Sequence, residues 1–478
     1  MFSTIVYIFF VLLIIGTILV ILTDDDDNSS KKIAWIIIVT LLPVIGLTAY
    51  LIIGLNPRRT NRFKVLHEKF SEIFNGKTTE EIRERLFGHS VENKIAPEYQ
   101  ELARLLSHSN GTTVSDGNEI EIITSGQRKF EALMRDLENA EKYIHLEYFY
   151  FRRDSGSRKI KELLMKKARE GVKVRFIHEN IANIDISPHY YNEMKKSGVE
   201  VVKFTRSRFN LLRLSAQLNY RDHRKIAIID GKVGYTGGMN IGDDYFLKWR
   251  DTHLRITGNA VSALQYSFLF SFISSGGKIS GDFADMFPES VPVSGPGRLV
   301  QIVPDEPDDK WPIIHMGAVW AVQHSSRYVY IQTPYFVPPE PLMQALKAAA
   351  LKGTDVRIMM PQVSDSFFMD PANKSHYQEC LDAGIRIYEK TGSFIHSKTI
   401  VSDDYLSIVG SANMDFRSLE LNYEINAYIY DRDTALENRD IFLKDLENCC
   451  EILPEQWKAR PWYKKLWETV MRLFAPLL

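Results

Sequence analysis

The sequence predicts an α/β protein made of two similar layered halves, each a mixed sheet flanked by helices, with a pair of apolar helices before them. Three observations support this prediction. Two long apolar stretches lie near the start of the chain, strand-like and helix-like segments then alternate in the same order twice, and each series leads into the same polar motif. Such alternation predicts sheets covered by helices, and its repetition predicts a duplicated unit.

The two apolar stretches cover residues 2–23 and 33–55, and neither contains a charged residue. About 20 such residues are enough to cross the hydrocarbon core of a bilayer. A cleaved signal peptide is disfavoured, because the first stretch has no basic leader and a second stretch follows closely. The connecting loop is acidic, whereas the segment after residue 55 is rich in arginine and lysine. The positive-inside rule therefore predicts a transmembrane helical hairpin in the cell membrane, with the rest of the chain in the cytoplasm.

The remaining residues divide by composition and pattern. Residues 1–57 contain the hairpin, 58–120 form a charged helical connector, 121–275 the first α/β half, 276–297 a linker rich in Gly, Ser and Pro, and 298–450 the second half. Residues 451–478 mix Trp, Leu, Val and Phe with Lys and Arg. This last segment is predicted to be amphipathic, and it could equally lie at a membrane interface or pack on the core.

Composition argues against two classes of function. The 478 residues carry a formal net charge of -1, so no basic excess favours nucleic acid. The 3 cysteines have no zinc-finger spacing, and no cluster of carboxylates suggests a metal site. We therefore expect no metal and no cofactor. The sequence does not indicate an oligomeric state.

The repeated motif covers residues 223–240, HRKIAIIDGKVGYTGGMN, and residues 396–413, HSKTIVSDDYLSIVGSAN. The two copies match in spacing from His through Lys and Asp to Asn. Each copy predicts a strand, a tight turn and a returning strand. Alternate residues share one face of a strand, so His and Lys point the same way, and the returning strand brings Asn back towards them. Two such sets form a cationic, donor-rich pocket that suits a phosphodiester.

The paired HxKxxxxD motifs, followed by GGMN and GSAN, resemble those of the phospholipase D superfamily. With the predicted hairpin, the chain is similar to the bacterial cardiolipin synthase family within it. The resemblance extends over about residues 126–430. It implies one active site shared by both halves, with the catalytic motif residues His223, Lys225, Asp230, His396, Lys398 and Asp403. It further implies that His223 attacks phosphorus to form a phosphohistidine and that His396 is the acid and base.

Not every motif residue is expected to touch substrate. Asp230 lies five residues beyond Lys225, roughly 16 Å along a strand, so we interpret Asp230 and Asp403 as turn or ion-pair residues. The phosphate is expected to contact Asn240, Asn413 and Ser411. At the position of Ser411 the first copy has Gly238, which removes one possible phosphate hydroxyl.

Two further acids stand at equal distances after the two histidines. Asp251 follows His223 at the same spacing at which Glu424 follows His396. Spacing alone leaves pairing with nearby lysines equally open. In the phospholipase D family, acids at matching positions hold the catalytic histidines, so the resemblance implies that role here. Glu147 and Gln332, on matching strands, are expected to line the same pocket.

The family resemblance implies a transferase that acts on phosphatidylglycerol in the membrane and yields cardiolipin and glycerol. A phospholipase D hydrolase or a phosphatidylserine synthase of the same fold is the second interpretation, because water or serine could also accept the phosphatidyl group. A membrane-bound nuclease is disfavoured by the neutral charge of the chain. A non-enzymatic membrane scaffold is disfavoured by the two intact motifs, which such a protein would not require.

Overall fold

The structure is a computed structural model that describes residues 2–23, 29–50, 91–204, 220–279, 286–288, 297–307 and 309–474. Much of the predicted connector, residues 58–90, lies outside the described residues, as do residues 51–55 of the second apolar stretch. So does most of the predicted linker.

The N-terminal region forms helices α1 (Phe2–Thr23), α2 (Ser29–Leu41) and α3 (Pro43–Ala49). The second apolar stretch is divided at Leu42, whose backbone is not helical, and Pro43 begins the next helix. Ile21, Val39 and Tyr50 form a small buried cluster. Among the residues that the structure describes in full, no helix is long and apolar enough to cross a membrane.

The first half begins earlier than predicted, since its first strand starts at Val114. After helix α4 (Gln100–Asn110), its strands are β1 (Val114–Ser125), β2 (Tyr143–Tyr148), β3 (Lys173–Glu179), β4 (Glu200–Phe204), β5 (Lys225–Ile229), β6 (Val233–Gly237) and β7 (Arg250–Gly258). Its helices are α5 (Gly126–Glu138), α6 (Ser155–Arg169), α7 (Pro188–Lys196), α8 (Asp243–Leu247) and α9 (Val261–Ser274).

The second half repeats this order from β8 onwards. Its strands are β8 (Arg298–Asp305), β9 (Tyr328–Gln332), β10 (Phe336–Val337), β11 (Asp355–Pro361), β12 (Arg386–Lys390), β13 (Thr399–Ser402), β14 (Leu406–Gly410), β15 (Met414–Asp415), β16 (Glu424–Tyr430) and β17 (Cys449–Glu451). Its helices are α10 (Ile313–His324), α11 (Glu340–Leu351), α12 (Met369–Lys374), α13 (Tyr377–Asp382), α14 (Phe416–Glu420), α15 (Arg432–Leu446), α16 (Pro454–Lys458) and α17 (Trp462–Phe474).

In the described part of the chain, the two halves form one continuous sheet of 15 strands in the order β17-β12-β11-β9-β13-β14-β16-β8-β1-β7-β6-β5-β2-β3-β4. The order reads the same outwards from the central β8-β1 pair in both directions, apart from the added β17. Strands β2, β3 and β4 pair in parallel, as do β9, β11 and β12, while the central strands are antiparallel. The predicted mixed α/β architecture with two repeated halves is therefore confirmed.

Two segments outside the repeat pack on the second half. Leu102, Ala103 and Leu106 of α4 are buried in its main hydrophobic cluster, so the described end of the predicted connector belongs to the second core. At the other end, α17 packs beside α12. Met471 of this helix is buried, while Trp462 and Trp467 are exposed.

Candidate active site

A cavity of about 580 Å³ opens where the two halves meet. Residues of both halves line it: Phe149, Tyr150, Arg152, Ile181, Ala182, Arg221, His223, Asn240, Tyr245 and Trp249 from the first, and Tyr335, Asp365, Ser366, Met369, His396, Asn413, Asp415, Arg417, Ser418 and Asn422 from the second. Histidine and asparagine of both motif copies thus face the same space.

The backbone that carries each histidine is held by the opposite half. The His223 amide donates to the Tyr423 carbonyl at 2.9 Å, and the His396 amide donates to the Arg250 carbonyl at 2.7 Å. Tyr423 and Arg250 immediately precede Glu424 and Asp251. Each histidine is consequently positioned next to the acid that belongs to the other half.

The two acids bind the histidines crosswise. His223 Nδ1 lies 2.9 Å and 3.0 Å from the two carboxylate oxygens of Glu424, and His396 Nδ1 lies 2.7 Å from Asp251 Oδ2. The equal spacing along the chain therefore reflects the duplication, and it does not identify partners within one half. A carboxylate at Nδ1 favours the tautomer with its proton there, which leaves Nε2 as the basic nitrogen.

Burial governs the charge of these groups. It lowers the pKa of His223 to about 4, against the opposing attraction of Glu424. Burial, together with Lys398 and Lys225, lowers the pKa of His396 well below its usual value. Both imidazoles are therefore neutral at pH 7 in this structure.

The acids and lysines around the histidines respond to the same burial. Burial raises the pKa of Asp251 to about 6. Burial also acts to raise the pKa of Glu424, but His223, Lys225 and the Ser411 hydroxyl together keep that pKa below its usual value. Burial lowers the pKa of Lys225 to about 7 and that of Lys398 to about 8. An anion that enters the cavity would stabilise the charged form of both lysines.

Each lysine is turned towards the backbone of its own histidine. Lys225 Nζ donates to the His223 carbonyl at 2.5 Å, and Lys398 Nζ donates to the His396 carbonyl at 2.6 Å. The asparagines are held differently. Asn240 Oδ1 accepts from the Tyr150 amide at 3.0 Å, whereas Asn413 bonds to Asp415 and thereby lowers the pKa that burial has raised in that acid.

Ser411 was predicted to contact the phosphate, but in the structure it does not line the cavity. Its hydroxyl donates to Glu424 Oε2, and it accepts from the Ile425 amide at 2.9 Å, because a buried carboxylate needs donors. At the matching position, a Cβ on Gly238 would lie 2.1 Å from Asp251 Oδ1. The difference between serine and glycine therefore accompanies the difference between the two acids.

The motif aspartates form turns, as their distance from the lysines suggested, and they do not line the cavity. Asp230 and Asp403 both have φ of 52°. Asp230 accepts from the amides of residues 141–143, each at 2.8 Å. Asp403 accepts from the amides of residues 326–328 at 2.6–3.0 Å. These aspartates fix the start of β2 and β9, beside which β5 and β13 lie, so we interpret their role in the motif as structural.

Glu147 and Gln332 do not line the cavity either. Glu147 is buried beside Asp222 and Arg224, and burial raises its pKa. Gln332 donates to Asp445 at 2.9 Å. Their strands match, but Glu147 lies beside Asp222 and Arg224, whereas Gln332 bonds to Asp445 and accepts from the Thr399 hydroxyl.

Sequence reasoning missed the arginines and aromatic residues around the histidines. Phe149 lies edge-on to His223 with ring centroids 5.0 Å apart, and Trp249 lies 5.2 Å from His396. Arg152, Arg221 and Arg417 line the cavity as well. They follow no repeated pattern, so no sequence signal identified them. Within the described part of the chain, no three His, Cys, Asp or Glu side chains gather as ligands for a metal ion.

Comparison with known proteins agrees with this architecture. A family model described as "Cardiolipin synthase, PLD-like domain" matches residues 133–270 and 320–446, and one described as "Phospholipase_D-nuclease N-terminal" matches residues 5–54. A cardiolipin synthase of Listeria monocytogenes is 36% identical over 458 residues, which cover 93% of this chain and 93% of that protein. The chain belongs to the cardiolipin synthase family.

Another relative and a solved structure agree with this assignment. A cardiolipin synthase of Geobacillus kaustophilus is 37% identical over 457 residues, covering 93% of this chain and 88% of that protein. Among solved structures, the phosphatidylserine synthase of Haemophilus influenzae superposes with a TM-score of 0.58 at 12% identity, covering 79% of this chain and 98% of that one. At this identity the similarity concerns the fold.

Proposed function

We propose that this enzyme transfers the phosphatidyl group of one phosphatidylglycerol to the glycerol hydroxyl of a second, forming cardiolipin and releasing glycerol. The observation that carries the proposal is the single cavity into which His223 and His396 both project, each held at Nδ1 by a carboxylate of the opposite half. The family relationship supplies the substrate class. The geometry supports a nucleophile and an acid on opposite sides of one phosphorus.

In the first step, Nε2 of neutral His223 attacks phosphorus and the bond to the glycerol oxygen breaks. The leaving oxygen takes a proton from Nε2 of His396. Although burial lowers the pKa of His396, a bound phosphodiester adds negative charge beside it and raises that pKa. Lys225, Lys398 and the amide of Asn240 would contact the non-bridging oxygens and stabilise the charge that develops there.

In the second step, the hydroxyl of the acceptor lipid attacks the phosphohistidine. His396 removes the hydroxyl proton as the bond from phosphorus to His223 breaks, so both histidines return to their starting states. Lysine and asparagine provide the charge stabilisation in both steps. We therefore expect activity to persist after extensive treatment with a chelator, and recovery with only one specific divalent ion would contradict this mechanism.

We place the cavity at the surface of the cell membrane, with the catalytic part in the cytoplasm and two spans within residues 1–57. The apolar sequence and its flanking charges support the spans. Exposed apolar residues near the cavity support its contact with lipid: Phe367 is 75% exposed beside the lining residue Ser366, and its ring lies 6.3 Å from that of Trp467. Protease added to intact cells should leave the catalytic part uncut. Digestion of the catalytic part would indicate the opposite orientation in the membrane.

Purified enzyme in vesicles of phosphatidylglycerol tests the reaction. Cardiolipin and free glycerol should be the main products, because the acceptor lipid is concentrated at the surface where the cavity opens. Phosphatidic acid as the main product at every lipid density would identify a hydrolase instead. Added serine that yields phosphatidylserine as the main product would identify a phosphatidylserine synthase.

A further inference from the structure

We propose that Arg221 and Arg417 form a second anion site in the cavity wall, which binds the phosphodiester of the acceptor phosphatidylglycerol while the donor phosphate lies between the histidines. This inference rests on the proposed function, because that reaction brings two anionic phospholipids into one cavity. Lys225 and Lys398, bonded to the carbonyls of the two histidines, can account for the charge of one phosphate. The second phosphate requires its own counter-charge.

The two arginines are brought together by one short turn. The Arg417 carbonyl accepts from the Asn422 amide at 2.8 Å, and the Arg221 carbonyl accepts from the Tyr423 amide at 2.8 Å. Consecutive residues of one turn thus hold one arginine from each half. Both side chains line the cavity.

Each arginine in this wall lies near one carboxylate. Arg221 is 25% exposed and lies 3.8 Å from Glu179, at the long limit of an ion pair. Glu179 also accepts from the Ala182 amide, while Asp415 is the carboxylate near Arg417 and accepts from the Ser418 amide at 2.7 Å. Burial lowers the pKa of Arg417, and the neighbouring Arg221 lowers it further, which shows that the two cations act on each other. An anion between them would relieve that repulsion.

The positions related to this pair by the repeat hold no second pair of arginines. The residues that match Arg221 and Arg417 in the motif repeat are Phe394 and Asp244. Phe394 packs against Trp249 with ring centroids 4.9 Å apart. One of the two related pairs is thus cationic, whereas the other consists of an aromatic residue and an acid. This difference is expected if only one pair binds a second phosphate.

The distances along the chain suit this arrangement. Arg221 lies two residues before His223 in extended backbone, which separates their Cα atoms by about 7 Å. In the acceptor lipid, a three-carbon glycerol separates the phosphate from the hydroxyl that attacks. The acceptor can therefore place its hydroxyl between the histidines while its phosphate reaches the wall.

A comparison of two acceptors tests the site. Full-length enzyme and the variants Arg221→Gln, Arg417→Gln and the double variant are placed in phosphatidylcholine vesicles that contain phosphatidylglycerol. One assay measures cardiolipin. The other measures incorporation of labelled glycerol into phosphatidylglycerol, which uses the same phosphohistidine but an acceptor without a phosphate.

Each single variant should lower cardiolipin formation by about tenfold, since an ionic hydrogen bond is lost, and should change glycerol exchange by less than about twofold. Arg221→Lys and Arg417→Lys should retain most cardiolipin formation. Arg439→Gln, which removes a surface arginine paired with Asp404 and Asp440, is the matched control and should change neither rate.

Equal losses in both assays would show that these arginines act in binding the donor phosphate or in folding, and would overturn the inference. No loss in either assay would overturn it as well. Wild-type enzyme that exchanges glycerol but forms no cardiolipin would instead contradict the proposed function itself, so the two failures are distinguishable.

Discussion

The two halves build their histidine sites on the same frame but finish them differently. In both, a lysine donates to its histidine carbonyl and a turn aspartate anchors the neighbouring strand. The His223 site has a glutamate supported by the Ser411 hydroxyl, whereas the His396 site has an aspartate against Gly238. Duplication therefore preserved the backbone arrangement, and the two sites diverged in the groups behind the imidazoles.

The divergence matches the two chemical roles proposed for His223 and His396. Burial acts to raise the pKa of Glu424, but His223, Lys225 and the Ser411 hydroxyl together keep it below its usual value, so a full negative charge faces His223 and holds the imidazole proton at Nδ1, which leaves Nε2 free to attack. Burial raises the pKa of Asp251 to about 6. The pair of Asp251 and His396 can thus take up a proton more readily near neutral pH, as an acid and base must. Four predictions test this contrast.

Exchanging each acid for its amide should have the largest effect. Glu424→Gln should slow attack by His223, and Asp251→Asn should slow proton transfer by His396, each by about 1,000-fold in cardiolipin formation. Phosphatidyl-p-nitrophenol separates the two, because nitrophenolate leaves without an acid. Asp251→Asn should release nitrophenolate in its first turnover almost as fast as wild type, whereas Glu424→Gln should not. The reverse result would indicate pairing within each half.

The residues behind the acids should have a smaller effect. A methyl group at Gly238 would meet Asp251, so Gly238→Ala should displace that acid and lower cardiolipin formation by about 100-fold. Ser411→Ala removes one hydrogen bond to Glu424 and should cost about tenfold. Gly238→Ala added to Asp251→Asn should cause little further loss of rate, because both act on one contact. Additive losses would show that Gly238 acts elsewhere.

The pH dependence should separate His223 from an ordinary histidine. Burial lowers its pKa to about 4. The base form is therefore present above that pH and is lost as pH falls through it. First-turnover release of nitrophenolate at limiting lipid concentration, which reports the groups of the free enzyme, should stay constant from pH 7 to about 5 and fall only below that. A decline centred near pH 6.5 would contradict the buried, neutral state of this imidazole.

Replacing the turn aspartates should affect stability and not chemistry. Asp230→Ala and Asp403→Ala each leave three amides without an acceptor and should lower the free energy of unfolding by about 1–3 kcal/mol. Below the new melting temperature, activity should stay within about threefold. Asp244→Ala, which removes only an exposed pair with Lys248, is the control. A loss of activity comparable to that of the histidine variants would return these aspartates to the catalytic group.

Much of the fold follows from local sequence pattern. Strands such as β3 and β11 are short apolar runs between helices, as the alternation of strand-like and helix-like segments predicts. The central strands β1, β7, β8 and β16 were missed, because their pairing joins segments distant in the chain. These strands nevertheless create the frame on which the site depends.

The residues of the site could also be predicted in part from the sequence. Its histidines, lysines and asparagines belong to a repeated motif, and the motif places them at the ends of matching strands. The crosswise bonds were not predictable, because they follow from contacts of Tyr423 and Arg250 with the opposite half. The roles of Ser411 and the paired arginines likewise depend on which groups are buried beside them.

We propose that both halves serve one phosphorus, with His223 as nucleophile and His396 as acid and base. Phosphatidyl-p-nitrophenol mixed with excess enzyme tests it most directly. The His396→Ala variant should release about one nitrophenolate per enzyme and then stop, with the phosphatidyl group found by mass spectrometry on His223. The His223→Ala variant should release none. A burst from His223→Ala, or a phosphatidyl group on any other residue of His396→Ala, would contradict the account.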